Sequence, residues 1–192
     1  MELRQLSTLE VTDVYQSHLK QDFPDNERKP LFVIKSLMKR KLYLCYGLFA
    51  DPEASLVAYA FLCQGNNSHS LILDYFATIA GARDKGLGSL TLKLLQEALP
   101  DIAGIIAEVE CVEMGQDAVE RQLRKRRIDF YLRNGFCTTQ VRGLIFGVQF
   151  DIVYLPIRQP ADDGFVLKEL EDIYRTMLPP SMFEPNVHLS VT

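Results

Sequence analysis

The residues best placed to do chemistry form a short glycine-containing loop, Arg83-Asp84-Lys85-Gly86-Leu87-Gly88. The surrounding stretch, Leu71–Leu99, reads LILDYFATIAGARDKGLGSLTLKLLQEAL: a β-branched and aromatic run, the loop, then an amphipathic helical pattern. Backbone N–H groups at a helix start lack an intrahelical acceptor and lie at the positive end of the peptide dipole. A glycine-rich loop that lets a ligand come close there suits a pyrophosphate, so the segment reads as a nucleotide-cofactor site. Neither GxGxxG nor GxxxxGK[ST] occurs, so neither a dinucleotide fold nor a P-loop is supported.

The elements that position this loop follow from patterning. Lys41–Ala50 and Ser55–Gln64 are β-rich runs that read as an antiparallel hairpin around Asp51-Pro52-Glu53-Ala54. Gly65-Asn66-Asn67-Ser68 turns the chain into a strand over Ser70–Thr78. After the loop, Leu87, Leu90, Leu94, Leu95 and Ala98 put one apolar stripe on a helix that Pro100 stops. Ile102–Glu110 is the next strand, ending in Glu108-Val109-Glu110, and a helix from Asp117 to Asn134 is closed by Gly135, with Phe136 folding back across the cap. Thr139–Gly147 and Phe150–Ile157 read as two final antiparallel strands.

Upstream, Met1–Glu10 offers a first strand, and Thr12 or Asp13 caps a helix through Tyr15 and Leu19. Phe23–Pro30, FPDNERKP, is a loop with a proline at its second and last positions, before a helix around Leu31–Met38. It reads either as a wall of an acceptor site or as a helix–helix connector. Ala161–Thr192 offers one helix, Phe165–Met177, then Pro179-Pro180 and a surface tail. The order β, α, α, β, β, β, α, β, α, β, β with an appended helix is mixed α+β, a mostly antiparallel sheet of about seven strands flanked by helices.

Composition narrows the class. At 192 residues, 47% hydrophobic and 24% charged, the chain is long enough for one ordinary globular domain. The net charge of −4 argues against a general nucleic-acid binder. There is no charged-then-apolar leader and no run of about 18 apolar residues, so no membrane association is expected. Cys45, Cys63, Cys111 and Cys137 are dispersed, with no CxxC pair, which suits reduced core thiols and a cytoplasmic location. His18, His69 and His188 lack metal-ligand spacing, and no metal is expected.

The loop also matches the pattern Arg/Gln-x-x-Gly-x-Gly/Ala between a strand and a helix. Phe130-Tyr131-Leu132-Arg133-Asn134-Gly135-Phe136 matches a second signature, an aromatic-Tyr pair followed by x-x-Gly-Phe. In these two motifs and in its element order over residues 1–157 the chain resembles the GNAT superfamily of acyl-coenzyme-A-dependent N-acetyltransferases. The resemblance implies a GNAT-like domain over residues 1–158 and a C-terminal helical extension, 159–192, packed on it. It implies a splayed V between the central strands that admits the cofactor's pantetheine arm. By the same analogy Phe76, Ala77 and Thr78 offer backbone hydrogen bonds to that arm, and Arg83, Asp84, Lys85, Gly86, Leu87, Gly88 and Ser89 hold the pyrophosphate. Substrate choice would rest on Asp22–Pro30, with Phe23, Asp25, Glu27 and Arg28 as acceptor-site candidates, and on the hairpin near Phe146–Phe150.

The implied reaction is direct attack of a primary amine, of a small molecule or a protein, on acetyl-coenzyme A in a ternary complex. An amine of pKa ~10.4 is neutral in only about one molecule in 2,500 at pH 7, a cost of roughly 4.6 kcal/mol, so a base is needed. Asp74, Glu108 and Glu110 are the candidates, each of which could instead balance Arg124 or Arg127. The resemblance carries the acid for the leaving thiolate onto Tyr131, which also reads as a core aromatic. An Asn often found some seven residues before that Tyr is replaced by Arg124. The run Arg121, Arg124, Lys125, Arg126 and Arg127 reads as a solvated helix face or as a contact to phosphates or an acidic substrate. The alternative to an enzyme is a non-catalytic acyl-coenzyme-A binding or regulatory module. The last strands and the Phe165–Met177 helix are candidate surfaces for a homodimer.

Overall fold

A computed structural model describes residues 1–50 and 55–192, so the expected turn at Asp51–Ala54 lies outside the described residues. Among the described residues eight strands hydrogen-bond into one sheet, in the chain order first, second, third, fourth, fifth, seventh, sixth, eighth, one strand more than expected. The chain divides into two compact units.

The first unit comprises Met1–Cys63 and Asp74–Ala98. In it β1 (Glu2–Gln5) pairs antiparallel with β2 (Tyr43–Ala50), and β2 with β3 (Ser55–Gln64); Asp74 to Thr78 of β4 (Leu71–Thr78) also belong here. The first helix begins earlier than expected. Ser7, not Thr12 or Asp13, caps α1 (Thr8–Val14): the Glu10 N–H donates to Ser7 Oγ at 3.3 Å, and the Ser7 N–H to Glu10 Oε2 at 2.8 Å. This is a reciprocal capping box. The helix then widens into a π-helical turn, Tyr15–Leu19, before the short α2 (Lys20–Asp22), and α3 (Leu31–Lys39) starts directly after Pro30.

The helix after the glycine loop, α4 (Leu87–Ala98), buries Leu87, Thr91, Leu92 and Leu95. Leu87 joins Leu48, Ala58 and Ala82 in a buried cluster, with Leu3, Val57, Leu90 and Leu94 packed around it. Ala98, assigned to the apolar stripe by periodicity, is exposed, and Thr91 takes a buried position instead. Its hydroxyl donates to the Leu87 carbonyl at 2.7 Å, which satisfies the polar atom within the helix.

The second unit comprises Gln64–Leu73 and Leu99–Thr192. β5 (Gly104–Glu110) pairs parallel with the start of β4, Leu71 opposite Ile105 and Ile72 opposite Ile106, and antiparallel with β7 (Val148–Pro156) along its whole length. β6 (Cys137–Ile145) turns into β7 at Phe146 and Gly147, with φ of 48° and 83°. Two successive positive φ values are those of a type I′ hairpin, so this turn lies earlier than the patterning placed it. α5 (Ala118–Arg133) lies between β5 and β6 in sequence, and α6 (Asp163–Met177) and α7 (Pro180–Asn186) follow β7.

The expected surface tail is instead structured. Phe183 of α7 is buried, and Val187–Val191 forms β8, antiparallel to β6. Val-His-Leu-Ser-Val alternates apolar and polar residues, the period of a half-buried strand. α6 clamps the turn that precedes β4: Glu169 accepts the N–H groups of His69 (2.7 Å) and Ser70 (2.5 Å), Asp172 that of Asn67 (2.8 Å) and Thr176 that of Asn66 (2.9 Å). Gly65 lies so close to α6 that a Cβ would sit 2.9 Å from the Ile173 nitrogen. No helix among the described residues is long and apolar enough to cross a membrane.

Candidate active site

The glycine loop has the backbone that its sequence demands. Asp84 and Gly86 adopt φ of +61° and +73°, the left-handed region that glycine occupies freely and Asp tolerates better than most residues. Nothing lies within 4 Å of a Cβ built on Gly86, so glycine is needed here for its φ and not for space. The first ladder bond of α4 runs from the Leu90 N–H to the Gly86 carbonyl at 3.1 Å. The N–H groups of Leu87, Gly88 and Ser89 find no backbone acceptor among the described residues. An unsatisfied helix start behind a left-handed glycine fits a pyrophosphate.

Two basic side chains brace the loop from within. Arg83 donates from Nε to the Thr78 carbonyl (3.3 Å) and from Nη2 to Asp22 Oδ1 (3.1 Å), and Lys85 Nζ donates to the Gly81 carbonyl (3.3 Å). Asp22 in turn accepts the hydroxyl of fully buried Tyr59 at 2.9 Å. Phe76, Ala77 and Thr78 are half-buried on β4.

The Phe23–Pro30 loop is strapped to β4 inside the first unit. The Phe23 ring stands edge-on to Tyr75 with centroids 5.0 Å apart. The Lys29 N–H donates to the Tyr75 hydroxyl at 2.7 Å, that hydroxyl donates to the Glu27 carbonyl at 3.1 Å, and the Tyr15 hydroxyl reaches the Lys29 carbonyl at 3.0 Å. Asp25 and Glu27 are exposed; Asp25 pairs with half-buried Arg28. The carboxylate of Asp74 takes the Lys29 ammonium on one oxygen at 2.6 Å and the Tyr43 hydroxyl on the other. Burial first, and the Asp74 charge second, push the Tyr43 hydroxyl well above its ordinary pKa, so it stays a donor. Nothing in the sequence singles out Lys29 or Tyr43. The only signal was a lone Asp inside an apolar strand, which needs a partner.

In the second unit the β5 carboxylates are also engaged. Glu110 is held by Arg124 (3.1 Å) and Arg127 (2.7 Å), and Glu108 accepts the Tyr174 hydroxyl of α6 on both oxygens, at 2.8 and 3.0 Å. Arg124 is buried and also donates to the Cys111 carbonyl (2.8 Å) and to Glu120 (2.6 Å), so the residue in place of the expected Asn ties α5 to the segment after β5. Two more members of the basic run are spent locally: Arg121 on the Gly115 carbonyl and Lys125 on Asp129.

α5 is capped at both ends. Asp117 accepts the Glu120 N–H at 2.8 Å, while at the other end Gly135 (φ +90°) and Phe136 donate back to Leu132 and Tyr131, both at 3.2 Å, the Schellman pattern. Phe136 is buried and its ring lies 4.9 Å from that of Tyr131, which Phe130 approaches at 5.5 Å. Desolvation, partly offset by Arg127, pushes the Tyr131 hydroxyl up to about 12. A tyrosine so placed keeps its proton at neutral pH.

Of the cysteines, Cys45, Cys63 and Cys111 are buried, but Cys137 is exposed at the start of β6. Cys111, Glu113 and Asp151 bring ligand-type atoms within 4.8 Å of one another. Burial pushes the Cys111 thiol up, away from the thiolate a metal would bind, and it donates to Glu113 at 3.0 Å.

No protein-family model and no curated protein sequence matches the chain. Solved structures do. A Bacteroides thetaiotaomicron protein assigned to the GNAT acetyltransferase family superposes with a TM-score of 0.69 at 20% identity, over 93% of this chain and 99% of that one. The ribosomal-protein-S18-alanine N-acetyltransferase of Escherichia coli superposes at 0.58 with 19% identity, over 84% and 97%. Spermidine N-acetyltransferase of Vibrio cholerae, solved with CoA and spermine, superposes at 0.59 with 10% identity, over 81% and 95%. At these identities the likeness is one of architecture, and this chain has the fold of the GNAT acetyltransferases.

Proposed function

We propose that the chain is an acyl-coenzyme-A-dependent N-acetyltransferase acting on a primary amine of a small molecule or a protein. The observation that carries this reading is the open N-terminus of α4 behind Gly86, on a fold whose solved examples include one with CoA and spermine bound. Arg83–Ser89 would hold the pyrophosphate and Phe76–Thr78 the pantetheine arm. Acetyl-coenzyme A, when bound, would supply the activated acyl thioester and leave as the coenzyme A thiolate. Tyr131, protonated at neutral pH, is the proposed donor to the departing thiolate. The amine's proton goes to one of the three strand carboxylates Asp74, Glu108 and Glu110. The Asn or Gln variant that removes the acidic limb of the kcat/KM profile identifies which.

Residues 1–158 carry this activity in our reading, with 159–192 as an extension. Cysteines that form no disulfide among the described residues fit a cytoplasmic protein. The second reading, a non-catalytic acyl-coenzyme-A binder, is favoured by one observation: all three candidate bases are already hydrogen-bonded. Thiol release from acetyl-coenzyme A with a panel of primary amines tests the choice. Turnover on any amine supports the enzyme, and tight coenzyme A binding without turnover on the whole panel supports the binder. No coenzyme A binding overturns both.

A further inference from the structure

We propose that Asp74 and the Tyr75 ring form a seat for a primary ammonium group, and that Lys29 is its tethered occupant. The Asp74 side chain is only 10% exposed, and one of its oxygens lies 2.6 Å from Lys29 Nζ. The same Nζ stands 5.6 Å from the centroid of the Tyr75 ring. A desolvated carboxylate beside an aromatic face is the pairing that recognises an alkylammonium. The residue is delivered to the seat, not merely near it: its N–H and carbonyl are each fixed by a tyrosine hydroxyl, Tyr75 at 2.7 Å and Tyr15 at 3.0 Å. Its Nζ is the head group of a primary alkylamine, the chemical class the proposed reaction consumes.

The seat stands on this geometry alone; its use as the acceptor position rests on the function proposed above. In that use the chain holds its acceptor seat shut with its own lysine, and an incoming amine must displace a tethered competitor. Lys29 would then decide which amines are accepted. A group bound at Asp74 has to be a primary ammonium able to outcompete Lys29, and a neutral or anionic group has no place there.

Replacing Lys29 by Ala removes three carbons and the ammonium, a gap matched by n-propylammonium. In thermal melts of the full chain, n-propylammonium should raise the Tm of Lys29→Ala saturably by about 2–4 °C. It should leave the wild type and Lys29→Ala/Asp74→Asn unmoved, and neutral propan-1-ol should have no effect on any of them. If Lys29→Ala folds only when n-propylammonium is present, the seat is equally supported. No saturable response, an equal response to propan-1-ol, or failure to fold with and without the amine overturns it. For the acceptor use, KM for n-propylamine should fall about tenfold in Lys29→Ala, because the competing occupant is gone. An unchanged KM alongside a Tm response overturns the acceptor role and leaves the seat. A wild type that turns over no amine overturns the proposed function, and the melts still decide the seat.

Discussion

Helices α4 and α5 are treated in opposite ways, and the contrast separates an open helix start from one closed at both ends. α5 is closed at both ends, by Asp117 at the start and by the Gly135 and Phe136 bonds at the finish. That closure fixes the last turn, where Tyr131 sits against Phe136. Among the described residues no side chain caps the start of α4. Gly86 precedes it at φ +73°, whereas the capping residues Ser7, Asp117 and Asp162 have φ of −69°, −136° and −83°. The left-handed backbone at Gly86 excludes the extended conformation from which Ser or Asp caps a helix. One helix spends its terminal hydrogen bonds on its own closure; the other leaves its first amides without a backbone acceptor among the described residues.

The contrast breaks first at Tyr131. Tyr131→Phe should lower kcat by roughly 10²-fold or more with little change in coenzyme A affinity, since it removes a proton donor and nothing that α4 offers. Steady-state kinetics beside calorimetric titration check this, and an unchanged kcat removes Tyr131 from the mechanism. The pH sign follows from its raised pKa. The hydroxyl keeps its proton in the fold up to about 12, so stability tied to it is intact below pH 10 and is lost as pH rises toward 12. In alkaline melts the stability of the wild type should fall relative to that of Tyr131→Phe over this interval.

Next in size is Gly86→Val. No atom blocks the new side chain, so the effect is one of backbone strain, about 1–2 kcal/mol, and coenzyme A affinity should fall roughly tenfold. If affinity holds, the α4 amides are not the pyrophosphate site. Asp117→Ala should do the reverse: a loss of about 1 kcal/mol, read as a Tm lower by about 2–4 °C, with coenzyme A affinity unchanged.

The smallest effect concerns α1, a third helix closed by a capping box. Arg4 first, then the Ser7 N–H and hydroxyl, hold the Glu10 carboxyl at about 2 against an ordinary 4.5. Its contribution is therefore present above pH 4.5 and lost as pH falls toward 2. The Tm gap between wild type and Glu10→Gln should close over that interval.

Much of this was written locally. The strand, loop and helix of Leu71–Leu99, the glycine stop at Gly135 with Phe136 folded over it, and the hairpin partners β2 and β3 all appear where the patterning placed them. Two local signals went unread: Ser7-Thr8-Leu9-Glu10 has the form of a capping box, though the cap was expected at Thr12 or Asp13, and Val187–Val191 alternates as a strand does, though a surface tail was expected. These features depend on hydrogen bonds between near neighbours or on a period within one element, so a single stretch of sequence specifies them.

What only the tertiary structure decided is the state of the charged groups. Lys29 meets Asp74 across 45 positions, Arg127 meets Glu110 across 17, and Tyr174 meets Glu108 across 66. Sequence could name Asp74, Glu108 and Glu110 as acids in apolar strands that would need partners, but not which partner each would take. A side chain's period assigns it to a face of its own strand or helix. Which donor waits opposite is set by how distant segments pack, and that packing is where Asp74 acquired a lysine, Glu110 two arginines and Glu108 a tyrosine.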